Sequence, residues 1–468
     1  MFFTALIYGG DTVRLDKQDK KHFYKLLFPA LIEGVLSQLF HIADSIMLGQ
    51  MTNSTVSVAA VGMCVAPVNL IVSVSNALFI GTTATVAWYY GAKQKDNMRT
   101  AAWQSMGIAV PVALFASLVS IIFAEPLMRF ICGESEILEV AASYFRINAY
   151  GFFFQIVTFN ITAILRGIGV SKTPMIYNLT GGVVNVILNY ILIYGKFGFP
   201  EMRADGAALA TALAKVVSFV FALLVLLCAD SEINFKYGIK KNFDPMIKKR
   251  LLPIGLTAAG EQVILQAGAV LTAKIISVLS TEDIAANQIV ANLEGFAWLS
   301  GSASQIATTS LFGRSLGENN IPKAKSYLKL ALKFALSFAG AEMLIFCTMG
   351  KSLASLFSND TSLYPIISVL LILSAIPLPF INSHQTVSGA LRSAGDSVAP
   401  LIASLISLWV FRVILGYVTI RILGYGLYTY KICIAIDQFV RCTIVSIFFL
   451  TGHWKRFLNK DQKKKANS

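Results

Sequence analysis

Long apolar runs, each closed by a short polar segment, recur along the whole chain. Residues 45–92 are 48 consecutive positions without one Asp, Glu, Lys or Arg. About 20 apolar residues in helical form span the ~30 Å hydrocarbon core of a bilayer. This stretch therefore crosses twice, turning at Gln50-Met51-Thr52-Asn53-Ser54. The same pattern predicts twelve spans, near 25–50, 55–90, 98–124, 136–165, 172–195, 204–228, 250–279, 284–313, 323–349, 361–391, 397–421 and 426–452. Runs of this length satisfy their backbone groups inside lipid only as helices. The expected fold is an all-α polytopic membrane protein.

Composition agrees. Of 468 residues, 56% are hydrophobic and 14% charged, with mean hydropathy +0.66, whereas soluble domains carry about 25% charged residues. A water-soluble enzyme is excluded. The net charge of +14 would suit nucleic acid, but its distribution argues for topology. Of the 39 Lys and Arg, 27 fall in alternate segments: 1–25, 93–99, 166–172, 229–250, 314–329, Arg392 and 453–468. The intervening loops hold 5. This positive-inside bias puts both termini in the cytoplasm of a cell (inner or plasma) membrane protein. The basic tail Lys460-Asp461-Gln462-Lys463-Lys464-Lys465 reads as an anchor drawn to anionic lipid, and no nucleic-acid partner is expected.

Six cysteines are scattered and the four histidines lack ligand spacing, so neither a disulfide framework nor a metal site follows. The apolar Met1–Tyr8 stretch has no basic leader, which argues against a cleaved signal peptide. HExxH does not occur, and no catalytic residue is assigned.

The chain repeats itself. Leu165-Arg166-Gly167-Ile168-Gly169-Val170-Ser171-Lys172-Thr173-Pro174 aligns with Leu391-Arg392-Ser393-Ala394-Gly395-Asp396-Ser397-Val398-Ala399-Pro400, with five of ten positions identical at an offset of 226. Leu27-Phe28-Pro29 is echoed by Leu251-Leu252-Pro253, and Tyr90-Gly91 by Phe312-Gly313. Six spans per half bring the halves into the membrane from the same side, as parallel repeats about an axis along the membrane normal. Two pseudo-symmetric six-helix bundles around a central cavity are what alternating access uses. The expected organisation is a cytoplasmic tail (1–24), an N-lobe (25–228), a basic linker (229–249), a C-lobe (250–452) and a basic tail (453–468).

Intramembrane acids carry the chemistry. A charge mid-span costs about 2.5–3.5 kcal/mol on insertion scales, so such residues face the interior and usually serve a purpose. Glu33 and Asp44 lie 11 residues apart, which is 20° past whole turns, so they share a face about 16 Å apart along the axis. A carboxyl held away from water takes up and releases protons near neutral pH. Ionised, it pairs with sodium or an organic cation. Asp437 and Arg441, spaced i, i+4, read as a structural ion pair. Arg412, Lys215 and Lys274 remain open between structural and functional roles. Methionine and phenylalanine line any drug cavity only in part.

With these features placed, the sequence resembles the MATE (multidrug and toxic compound extrusion) family of the MOP flippase superfamily, over about residues 25–450. His41-Ile42-Ala43-Asp44-Ser45-Ile46-Met47-Leu48-Gly49 is similar to the family's first-span signature. Leu165-Arg166-Gly167 with Pro174 is similar to its loop after the fourth span, and Asn185–Gly198 to the fifth span of the NorM branch. Pro253-Ile254-Gly255 with Glu261, Asn287-Gln288-Ile289 and Gly389-Ala390-Leu391-Arg392 follow the pattern in the second half.

The resemblance implies secondary active multidrug efflux: antiport of amphipathic, cationic compounds against H⁺ or Na⁺, with no cofactor beyond that ion. Asp44 matches an aspartate tied to proton coupling, Glu261 a glutamate implicated in cation binding, and Asn185 an asparagine beside the N-lobe polar cluster. Asn189 stands where some branches have a second aspartate. Together these four form the expected coupling set. Glu33, Gln288, Asn382 and Glu294 are expected to line the substrate cavity. Asn382 replaces an aspartate of NorM-like proteins, and Glu294 is an extra acid that could compensate. Partners would be small organic substrates and membrane lipid, with a functional monomer. The alternative is a flippase or exporter of a lipid-linked or other amphiphilic metabolite.

Overall fold

The computed structural model describes residues 12–50, 55–134, 136–228, 244–356 and 361–457. Every expected span is helical, and no strand occurs among the described residues. The first half comprises α1 (Lys17–Gly49), α2 (Thr55–Leu78), α3 (Ile80–Gly91), α4 (Lys95–Ile122), α5 (Ala124–Cys132), α6 (Leu138–Gly167), α7 (Lys172–Ile193) and α8 (Arg203–Cys228). The second comprises α9 (Pro245–Ile276), α10 (Thr281–Gly317), α11 (Ile321–Thr348), α12 (Gly350–Ser355), α13 (Leu363–Ala375), α14 (Leu378–Ser393), α15 (Val398–Ile406), α16 (Leu415–Tyr417) and α17 (Leu427–Leu450). Wider π-helical turns at Ser407–Ile414 and Val418–Ile422 join α15, α16 and the end of the eleventh span.

Three spans depart from plain helices. The second is α2 followed by α3, interrupted at Phe79. The tenth is α13 and α14, bent by 41° at Pro377, where a missing N–H and a ring clash break the helical ladder. The eighth, α10, is 37 residues long yet too polar to join the ten helices, or eleven counting the bent pair, that are long and apolar enough to cross a membrane. Ser300, Ser304, Thr308 and Ser310 of α10 are buried among other helices, which spares them from lipid. The turn expected at 50–54 and the linker fall mostly outside the described residues, as do most of the two tails. The first helix begins at Lys17, ahead of the expected start at residue 25.

The chain divides into two compact units. One contains Ile32–Tyr90 and Gln94–Gly255; the other contains the N-terminal part of α1 up to Leu31, residues 91–93, and everything from Leu256 onward. The first helix of each half is therefore divided between units. Phe23, Leu26 and Leu27 of α1 pack with Ala303, Ala307 and Tyr327 of the second unit. The start of α9 packs on the first, where Gly81 lies directly against the Leu251 carbonyl and Gly255 against that of Leu78. Each divided helix carries a proline just before it changes unit, Pro29 or Pro253.

In lipid, helices associate through close packing of small residues. A Cβ on Gly181 would strike Ser218, and one on Gly151 would meet Ala212, so α6, α7 and α8 approach closely. Larger side chains fill the remaining space: Phe145, Phe152 and Tyr177 in the first unit, and Ile367, Leu370 and Tyr430 in the second.

The repeated loop has one backbone geometry in both halves. Gly169 and Gly395 take φ of +90° and +96°, a conformation glycine enters without a Cβ penalty. The amides of Gly169 and Val170 return to Arg166 and Leu165, as those of Gly395 and Asp396 return to Arg392 and Leu391. This αL closure satisfies the last carbonyls of a helix and explains the conserved glycine spacing within the repeat.

Candidate functional site

In the first unit, α1 lies along α7 in a register visible in two contacts. Asn178 Nδ2 donates to Glu33 Oε1 at 2.8 Å, and Asn189 Nδ2 donates to Asp44 Oδ1 at 2.6 Å. Both partners are 145 residues apart in sequence, so the helices run parallel for three turns and more. Gly182 makes room between them, since a Cβ there would strike the Phe40 ring.

Asp44 is held by amides. Asn185, with its amide oriented to suit its neighbours, donates to Asp44 Oδ1 at 2.9 Å and accepts from Thr211 Oγ1 at 3.2 Å. Two asparagine NH₂ groups thus converge on one carboxylate oxygen, and among the described residues no cation pairs with it. Glu33 is different. Arg166 NH2 pairs with its Oε2 at 2.9 Å, with side-chain exposures of 15% and 17%. Lys215 of α8 lies with its Nζ 5.0 Å from the Phe152 ring centre.

In the second unit, the repeat-related arginine makes the corresponding pair. Arg392 NH2 meets Glu261 Oε2, and Ser404 Oγ donates to Glu261 Oε1 at 2.7 Å. Both charged side chains are nearly sealed, at 6% and 4% exposed. Glu261 is thus an ion-paired, doubly hydrogen-bonded carboxylate. Glu294 does not join it: Lys431 Nζ, itself 3% exposed, pairs with Glu294 Oε1 at 2.7 Å. Asp437 takes Arg441 at 2.9 Å, the i, i+4 pair the spacing predicts, and also Arg412 at 2.7 Å. Asn382 is fully buried and donates to Ser300 Oγ at 2.9 Å. Gln288 is exposed on α10.

Of the eight expected site residues, the structure gathers Asp44, Asn185 and Asn189 into one cluster. It assigns Glu33, Glu261 and Glu294 each to its own basic partner. Sequence reading missed Asn178, Thr211 and Ser404, uncharged donors with no local signature. It also missed Glu342, the one acid of α11, although a lone acid in an apolar span is itself a signal.

A family comparison decides the class. The MatE profile matches residues 29–191 and 257–418, one match in each half of the repeat. The chain belongs to the MatE family. Members are membrane transporters, so this is a multi-pass membrane transporter protein. A probable multidrug resistance protein NorM of Thermotoga maritima is 27% identical over 440 residues, covering 93% of each chain. A MOP superfamily transporter of Pyrococcus furiosus shares the fold with TM-score 0.85 at 23% identity, over 97% of this chain and 98% of that one. An outward-facing multidrug resistance MATE transporter matches with TM-score 0.85 at 22% identity, with the same coverages. The match along nearly the whole of each chain supports the twelve-helix fold for this MatE member.

Proposed function

We propose that this MatE protein is a secondary active efflux transporter that exchanges an inward-moving H⁺ or Na⁺ for amphipathic, cationic compounds by alternating access. The observation that carries this reading is Asp44, a carboxyl within an apolar helix whose hydrogen-bond partners are asparagine amides. An amide stabilises a carboxylate without neutralising it, so the site keeps the capacity to accept a proton or a cation. A guanidinium partner, by contrast, satisfies the charge permanently. Asn185 and Asn189 orient Asp44, and Thr211 holds Asn185. The names of relatives such as the NorM protein support the drug-efflux part of the reading. The positive-inside pattern supports cytoplasmic termini in the cell membrane, and each chain contains both halves of the repeat, consistent with a working monomer.

The energetics suffice. One charge moving through 100 mV releases about 2.3 kcal/mol, roughly a fiftyfold concentration ratio. The test is extrusion of ethidium, a planar amphipathic cation, from proteoliposomes under imposed pH or sodium gradients. Wild type responds to a gradient, and Asp44→Asn falls to the gradient-free rate. Wild-type rates in Asp44→Asn would refute the assignment.

A second reading, export of an anionic amphiphile such as a lipid-linked metabolite, is favoured by one feature: Lys215 rests on an aromatic ring without a carboxylate partner among the described residues. Anionic dye extrusion that depends on Lys215 would select it.

A further inference from the structure

Two of the cysteines meet in the first unit, although their spacing in sequence gives no ligand pattern. Cys64 of α2 is fully buried. Its thiol is directed at Met128 Sδ of α5, 3.6 Å away, and at the Ala141 carbonyl of α6, 3.3 Å away. Cys132 closes α5, one turn beyond Met128, and an i, i+4 spacing puts the two on one helix face. It packs against the cluster that holds Cys64 and Met128, and the two thiols are close enough to interact electrostatically. Met128 is fully buried, whereas Cys132 is partly exposed.

Sulfurs from two helices thus converge in apolar surroundings that include Ala60, Ala124 and Phe145. Among the described residues no Asp, Glu or His completes a set of three with the two cysteines. A single buried cysteine acts as a small hydrophobe and needs no further account. Two thiols flanking a thioether are a ligand set.

The geometry points to a copper(I) site held by Cys64, Met128 and Cys132. Thiolate and thioether sulfurs select that soft ion, while magnesium, calcium and manganese take oxygen. Structural zinc sites close with four ligands, one more than this cluster offers. Metal–sulfur bonds of about 2.3 Å, the length found for zinc thiolates, set two sulfurs of a planar three-coordinate site about 4 Å apart. The Cys64–Met128 separation is already near that distance, so the ion enters without a backbone shift between them. Each thiol releases its proton to solvent as its sulfur bonds the ion. Cys132, partly exposed, gives the ion its way in. Once bound, the ion ties α2 to α5. None of the three sulfurs belongs to the Asp44 cluster, so the site stands apart from the antiport reading.

The test is anaerobic titration of the purified full-length protein, in detergent, with copper(I) in competition with bicinchoninate. Wild type takes one copper(I) per chain, and X-ray absorption shows sulfur neighbours alone. Cys132→Ser and Met128→Leu each weaken binding by on the order of 100-fold, since even partners outside the ligand shell are worth 10–100-fold. Cys64→Ser does the same, and Cys347→Ser, which alters an exposed thiol elsewhere, retains wild-type affinity. Far-UV circular dichroism and a monodisperse elution profile confirm folding of each variant. Copper(I) also raises the thermal unfolding midpoint of wild type, as any ligand of the native state does, and leaves that of Cys132→Ser unchanged. Wild-type affinity in a folded Cys132→Ser or Met128→Leu overturns the site. So does a metal shell of nitrogen or oxygen, or loss of binding in Cys347→Ser alone. A Cys64–Cys132 disulfide in protein isolated without reductant overturns it as well.

Discussion

Arg166 and Arg392 occupy the same place in the internal repeat, and each clamps a glutamate on the first helix of its half. Their surroundings differ. The Glu33–Arg166 pair is partly open, with both side chains near one-sixth exposed, and shares Glu33 with Asn178. The Glu261–Arg392 pair is almost sealed and shares Glu261 with Ser404. Duplication preserved the arginine and its loop, while burial changed what the pair costs to break. The same contrast separates the acids themselves. Among the described residues Asp44 meets asparagine amides, whereas Glu261 meets a guanidinium. An acid's partner, more than its depth in a span, decides whether its charge is neutralised.

Breaking the sealed pair has the largest expected effect on stability. Glu261→Gln leaves the Arg392 guanidinium buried without its counter-charge, a loss of about 3–5 kcal/mol, seen as a fall in thermal unfolding midpoint in detergent. An unchanged midpoint would mean that water reaches the pair and that the two halves do not differ. Glu33→Gln is milder, about 1–2 kcal/mol, since a charged hydrogen bond is lost where solvent can replace it. Equal losses at the two glutamates would erase the contrast.

Gly169→Ala and Gly395→Ala probe what the halves share. Each forces an alanine into a left-handed turn at about 1–2 kcal/mol. The two losses should match, because the turns match in φ and in hydrogen bonding. A twofold disparity would show that the loops differ in more than their neighbours.

Much of this was legible in the chain itself, and the reason is locality. A span is recognised from the composition of about 20 consecutive residues, so all twelve appear as helices, including α10, whose serines and threonines weaken its hydropathy. The repeated loop was legible because a left-handed glycine and a helix-closing turn need only a few adjacent residues. Asp44 stood out as an acid in an apolar run.

Partnership was not legible. Arg392 was visible as a repeat residue, but its contact with Glu261 spans 131 positions, and nothing local distinguishes an acid that will be neutralised from one that will not. Glu294 looked able to compensate for Asn382 until Lys431, 137 positions away, proved to hold it. Glu342 was passed over although it is the lone acid of α11. Likewise the division of α1 and α9 between units leaves no trace in hydropathy.

Hydrophobic periodicity and loop chemistry therefore determined the membrane class, the twelve helices and the duplicated plan, because those depend on free energies summed over neighbours in sequence. Tertiary structure alone decided which acids are paired with arginine or lysine and which keep amide partners. Coulomb and hydrogen-bond energies depend on distances of a few ångströms between side chains that the chain order leaves more than a hundred residues apart.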